Sequence, residues 1–247
     1  MLKYSLLGIV QGLTEFFPVS SSGHLVLLQR VFGFSGEEVT LSIVLHLGTL
    51  LAVTIFFFPD ILKALRTPRL LFYIFVVTLI TGIIGILAKD FFERLFSSIK
   101  FLPLAWFFTA GLLLATRKFM AGKREAVNFK DAVILGLTQA VAIVPGISRS
   151  GMTISTLLFR KLDTKNAFSF SFIVSLPVIL GAALLEARKI DFAIKANPIN
   201  LASGFIFSLL AGLVSLWILK KILIKAKFYY FAYYCLAVAL ITFIFLK

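Results

Sequence analysis

Long apolar stretches alternate with short polar ones along the whole chain. Six of them are long enough to cross a bilayer as a helix, which takes roughly 17–25 residues. They are Leu41–Phe58, Leu70–Ala88, Phe101–Thr116, Ala167–Leu185, Leu201–Leu219 and Tyr229–Leu246. The third is short and draws on its flanks. Two others, Tyr4–Phe17 and Ala132–Val144, are too short to span. Each runs into a proline and a Ser/Gly-rich stretch, Pro18-Val-Ser-Ser-Ser-Gly23 and Pro145-Gly-Ile-Ser-Arg-Ser-Gly151. A second short apolar piece follows each, Leu25–Phe34 and Met152–Phe159. Helix, broken loop, helix is the pattern of a hairpin that enters the membrane and returns to the same side. Non-helical backbone at that depth is tolerated only when buried in protein or lining a wet cavity.

The pattern occurs twice. Gly12-Leu-Thr-Glu15 recurs as Gly136-Leu-Thr-Gln139, each followed by a proline, a Ser-rich turn, a charged patch and three spans. The predicted fold is an all-α integral membrane protein with an inverted-topology repeat. Each half is a re-entrant helical hairpin plus three transmembrane helices, within a single membrane domain over residues 1–247. The repeats cover about 1–120 and 128–247, and the hairpins about 4–34 and 132–159. A hairpin plus three spans crosses an odd number of times, so the second half is inverted. Inverted repeats bring their broken helices face to face near the midplane.

Composition agrees with a membrane solvent. Hydrophobic residues make up 60% of the 247 and charged residues 15%, against about half and a quarter in soluble domains. The formal charge of +14 would suggest nucleic acid in a soluble protein. Here the cations sit between apolar runs and suit anionic membrane lipid and cytoplasmic loops, so no nucleic-acid partner is expected. If the hairpins do not cross, one side carries fifteen of the 25 Lys and Arg and the other nine, with Arg149 in a hairpin. The richer side is expected to be cytoplasmic, which puts both termini outside. The apolar start is not read as a signal peptide, because it contains Gln11 and Glu15 and lacks a small-residue cleavage site. The single Cys235 rules out an internal disulfide, and two histidines without a Cys cluster argue against zinc.

Polar groups inside a membrane are costly and mark function by default. The first hairpin carries Gln11, Thr14, Glu15, Ser20, Ser21, Ser22 and His24, and the second Gln139, Ser148, Arg149, Ser150 and Thr153. Arg149 stands at an expected helix start. It can hold phosphate oxygens bidentately, with backbone N–H groups from Ser150 to Thr153 aimed at the same anion. Gln11 and Glu15 are four apart and share a helix face, an oxygen pair suited to Mg²⁺ or Ca²⁺ bridged by a pyrophosphate. His24 offers a nucleophile, a general acid or base, or a partner for a serine of the Ser20–Ser22 run. A serine before a helix is also an ordinary N-cap. His46, inside a span, is as readily a satisfied structural histidine as a site residue.

These motifs resemble the undecaprenyl-pyrophosphate phosphatase (bacitracin-resistance) family. Its pattern is Glu/Gln-x-x-x-Glu, then Pro-Val-Ser-Ser-x-Gly-His, and later Pro-Gly-x-Ser-Arg-Ser-x-x-Thr, here Gln11–Glu15, Pro18–His24 and Pro145–Thr153. Gln11 in place of Glu leaves one carboxylate fewer for a metal. The resemblance covers nearly the whole chain. It implies hydrolysis of undecaprenyl pyrophosphate to undecaprenyl phosphate and inorganic phosphate in a bacterial cell membrane, recycling the carrier for cell-wall polymers and conferring bacitracin tolerance. By it Glu15, Ser21, His24 and Arg149 are catalytic, Ser20, Ser22, Ser148, Ser150 and Thr153 bind phosphate, and the site opens to the outer face. Whether the chain forms a homodimer is open. A second membrane-phosphatase class follows its Ser-Arg with a His, and no His follows Arg149. The rival reading is a polyprenyl-phosphate transporter or flippase, since inverted repeats with broken helices are common among transporters.

Overall fold

The computed structural model describes residues 1–33, 38–97, 99–188 and 197–245. Phe34 and Leu246, which bound two of the predicted segments, lie outside them, as do Lys189, Lys195 and Lys247 among the nine cations of the poorer side. The described residues form twelve α-helices and a few 3₁₀ turns, with one isolated bridge between Arg124 and Leu162 and no strand. Six segments are long and apolar enough to cross a membrane, as the pattern predicts. They are α3 (Glu38–Phe56), α5 (Pro68–Leu87), α7 (Leu102–Ala115, with its flanking turns), α10 (Thr164–Ala187), α11 (Pro198–Ile224) and α12 (Phe231–Phe245, with the preceding turn).

The boundaries differ where local chemistry intervenes. The span expected over Leu41–Phe58 stops at Phe56, because Pro59 starts a separate short helix, α4 (Phe58–Leu65). A further helix, α6 (Lys89–Ser97), fills the stretch between two of the predicted spans; its charged and aromatic residues alternate at helical spacing. Expected at Leu201–Leu219, α11 runs five residues further, to Ile224, with Lys221 over the ring of Trp217 at 3.2 Å. The ammonium is stabilised by the face of the ring one turn before it.

The short pieces form two pairs. In the first, α1 (Leu2–Phe16) precedes α2 (Ser21–Val31); in the second, α8 (Phe129–Val141) precedes α9 (Arg149–Phe159). Both second arms begin ahead of their apolar pieces, α2 at Ser21 before Leu25 and α9 at Arg149 before Met152, the latter at the helix start expected there. The reason is capping. Ser20 Oγ accepts from Gly23 N at 3.4 Å, and Ser148 Oγ accepts from Gly151 N at 3.1 Å, so each serine satisfies an N–H of the first turn.

Each pair packs against a span of the other half: α1 lies along α11, and α8 along α5. The α1–α11 contact is made by small residues. A Cβ on Gly8 would lie 2.4 Å from Gly204 O, and one on Gly12 would lie 2.5 Å from Ser208 O. Small residues let two backbones approach in a medium that gives helices no hydrophobic reason to associate. Ser215 Oγ adds a hydrogen bond to Gly12 O at 2.7 Å.

The second pair is tied at its base by a buried cluster. Asn128 and Asp131 form a reciprocal capping box at the start of α8. The Asp131 carboxylate also accepts from Arg124 and from Arg160 Nε, the latter at 2.8 Å. Burial pushes this carboxyl up, but the two guanidinium bonds and the Asn128 N–H outweigh it and hold it below the usual aspartate range.

Candidate phosphate site between the two broken helices

The two Ser-rich turns meet. Ser20, in the left-handed conformation at φ 69°, accepts from the backbone N–H of Gly146 at 3.0 Å. Gly146 itself has φ 92°, and a Cβ there would lie 2.6 Å from that of Ala105, so only glycine fits. From the third span, Trp106 Nε1 donates to Val19 O at 2.8 Å, and Thr109 Oγ1 donates to Gly146 O at 3.1 Å. Ser148 N donates in turn to Thr109 Oγ1. Thus α7 holds both turns by their backbones.

A cavity of about 230 Å³ opens where they meet. Its polar lining is Thr14, Glu15, Ser20, Ser21, Ser22, His46, Ser148, Arg149 and Glu186. Its apolar lining includes Ile43, Phe96, Ile143, Val178 and Ile179. At the polar end, Arg149 from the second turn donates to Glu15 Oε1 from the first. Ser21 Oγ donates to Glu15 Oε2 at 2.6 Å, and Gln11 Nε2 reaches the same oxygen at 3.1 Å. His46 Nε2 lies 3.8 Å from it. With Nδ1 against Ser42 O at 2.8 Å, His46 points its other nitrogen into the cavity. Glu15 and Arg149 thus compensate one another's charge where an isolated ion would be expensive.

The expected residues do not all arrive in the cavity. His24 does not line it. Its Nδ1 bonds Ser20 O at 2.7 Å, its Nε2 bonds Tyr234 OH at 2.8 Å, and its ring stacks on Tyr234. Both nitrogens are engaged by the fold, so the imidazole facing the cavity belongs to His46. Ser150 and Thr153 are buried beside the cavity rather than in it, with Ser150 Oγ on Ser148 Oγ and Thr153 Oγ1 on Arg149 O and Ser171. Of the N–H groups expected to face an anion, Gly151 N is taken by the Ser148 cap and Met152 N by Ser148 O.

Gln11 and Glu15 do share a face, but the Gln11 amide donates to Glu15 and Gln11 is fully buried outside the cavity lining. Its Oε1 is a buried acceptor without a partner. Together with the Glu15 carboxylate it makes an all-oxygen donor set that fits a hard divalent cation. Among the described residues no group of three or more His, Cys, Asp or Glu stands together. Phe96 and Glu186 carry no sequence signal; only the fold brings α6 and the end of α10 to this opening.

A membrane helix bundle with a guanidinium, a carboxylate and hydroxyls gathered at one end of an apolar-walled cavity defines a class: an integral membrane protein whose site suits the anionic head of a lipid. The chain belongs to the bacitracin resistance protein BacA family, whose family model matches residues 4–241. It is 42% identical over 241 residues to the undecaprenyl-diphosphatase of Thermotoga petrophila, covering 97% of this chain and 98% of that one. The undecaprenyl-diphosphatase of Carboxydothermus hydrogenoformans is likewise 42% identical over 93% of this chain and 91% of its own. That of Halothermothrix orenii is 40% identical over 99% and 97%.

Proposed function

We propose that this protein is an undecaprenyl-diphosphate phosphatase, removing the terminal phosphate of undecaprenyl pyrophosphate in a bacterial cell membrane. Relatives of that name align along nearly the full chain. The observation that carries the reading is the contact of Glu15 with Arg149 across the two turns, in a cavity with apolar walls. The first isoprene units of a polyprenyl tail lie along Ile143, Val178 and Ile179, and the diphosphate reaches the polar end.

In the free protein Glu15 holds Arg149 in place. An arriving diphosphate competes for the guanidinium, whose fork matches phosphate oxygens. Glu15 is then free to act as a base. Ser21 is the cavity-lining hydroxyl already donating to that carboxylate. Its Oγ attacks the terminal phosphorus, Glu15 Oε2 takes the proton, and the bond to the bridging oxygen breaks, releasing undecaprenyl phosphate. Water then attacks the phosphorus of the phosphoserine, keeping one proton as part of inorganic phosphate and giving the other to solvent; the P–Oγ bond breaks and Glu15 returns its proton to Ser21 Oγ. Arg149 stabilises the charge in both steps, with Ser22 and Ser148 completing the lining. A Mg²⁺ or Ca²⁺ ion held by Glu15 and Gln11 would neutralise part of the diphosphate charge. His24 is a positioning residue, fixing the Ser20 backbone. Ser150 and Thr153 support Ser148 and the first turn of α9.

The exchanged packing of α1 on α11 and α8 on α5 supports the inverted repeat over about 1–120 and 128–247. The cavity opens beside α6 and the end of α10, which border the loops poorer in Lys and Arg, and this supports an outward-facing site.

The test is release of inorganic phosphate from a short-tailed prenyl pyrophosphate by the purified protein in detergent. Release without a second compartment, with a phosphoserine trapped in wild type and absent from Ser21→Ala, is expected. No release under any divalent-cation condition would refute the enzyme reading.

A further inference from the structure

At the other end of α10 a second cavity, of about 280 Å³, lies between α4, the start of α5, the segment before α8 and the first turns of α10. Its lining carries two cations, Lys63 and Arg69, and two anions, Asp60 and Glu125. None of the four is in an ion pair with any described residue. Arg69 is instead oriented by Tyr73, whose hydroxyl accepts from its Nε at 2.7 Å and whose ring lies beneath the guanidinium. Side chains of opposite sign that share a cavity without closing on each other leave space for a ligand bearing both signs.

The setting says what kind of ligand. The cavity sits where one apolar span, α3, ends and the next, α5, begins, with α4 lying between them, which is where a lipid headgroup would meet the chain. Next in sequence to the lining residues Ala64 and Tyr73, Leu65 and Phe72 are 58% and 52% exposed and offer acyl chains an apolar surface. A water-soluble aminophosphate would make no use of that surface. We propose that this cavity is a headgroup site for a zwitterionic phospholipid of the phosphoethanolamine type. The phosphodiester is held by Lys63 and Arg69. The primary ammonium is held by Asp60 and Glu125. The site is separate from the catalytic cavity and shares no lining residue with it.

The experiment is native mass spectrometry of the full-length protein, delipidated in detergent and offered equimolar dioleoyl-phosphatidylethanolamine and dioleoyl-phosphatidylglycerol. Exposed ion pairs are individually weak, so two or three together should give roughly a five- to tenfold preference for phosphatidylethanolamine. The Asp60→Asn/Glu125→Gln variant should lose the preference, and Lys63→Ala should retain less of both lipids. Unchanged phosphate release by these variants would show that they fold. Equal retention of the two lipids by wild type would overturn the proposal, as would a preference that survives the acidic double variant. Binding of soluble glycerophosphoethanolamine as tight as that of the lipid would overturn the assignment to a membrane lipid.

Discussion

Ser20 Oγ accepts the backbone N–H of Gly146, 126 residues away, so the two interrupted helices are joined at their breaks. The same oxygen accepts from Gly23 N at the start of α2. Ser20→Ala leaves the buried Gly146 N–H without a partner, at a cost of about 1–3 kcal/mol. Melting in detergent should show that loss. Phosphate release should fall with it, because Ser21 and Arg149 flank the joint.

The small-residue seam between α1 and α11 should be intolerant of added volume. Gly12→Ala places a methyl against Ser208 O and is expected to cost about 1–3 kcal/mol, the usual range for overpacking. Gly82→Ala, where nothing lies within 4 Å, is the control and should melt like wild type.

Asp131 ties the base of the second pair. Its folded-state pKa is depressed, so it stabilises the fold above the ordinary aspartate pKa, and that stability is lost as pH falls through the depressed value. Between neutral pH and about pH 5 the Asp131 contribution should be constant. Asp131→Asn leaves two guanidinium groups facing an amide and should destabilise by about 3–5 kcal/mol at neutral pH. The gap between wild type and variant in melting temperature should narrow only in strong acid.

The two histidines should separate in kinetics. His46 faces the cavity beside Glu15, whereas His24 braces the Ser20 turn against Tyr234. His46→Ala should lower kcat by roughly tenfold or more with the melting point unchanged, a modest share of what a positioned acid–base or donor group supplies. Tyr234→Phe removes one bond from His24 and should lower stability and turnover together, by smaller amounts.

Much of this was legible in the residues. Uninterrupted apolar length is decisive in a membrane, so the six spans stand within a few residues of where hydropathy puts them. Pro18 and Pro145, each followed by serines, mark the breaks because proline ends a helix and serine starts one. The pairing of Glu15 with Arg149 could be anticipated from charge, since neither would stand alone at that depth. Other features depend on distant partners. Tyr234 draws His24 away from the cavity, and nothing local to Ser-Gly-His announces a tyrosine 210 residues on. His46 is one of two histidines and sits in an apolar span, which was a signal, but its direction depends on how α3 packs beside α1. The early start of α2 follows from a serine cap that an apolar-run reading passes over. For α4 and α6 the cause is length: short amphipathic helices lack the run that makes a span visible.

The central claim is that Glu15 and Arg149 act as one unit on one diphosphate. A double-mutant cycle on phosphate release, with Glu15→Gln, Arg149→Ala and the two combined, tests it most directly. Each single change should lower kcat by roughly 10²-fold or more, and the double should be little worse than either, as for residues that work together. Losses that multiply independently, or an Arg149→Ala protein that releases phosphate like wild type, would contradict it.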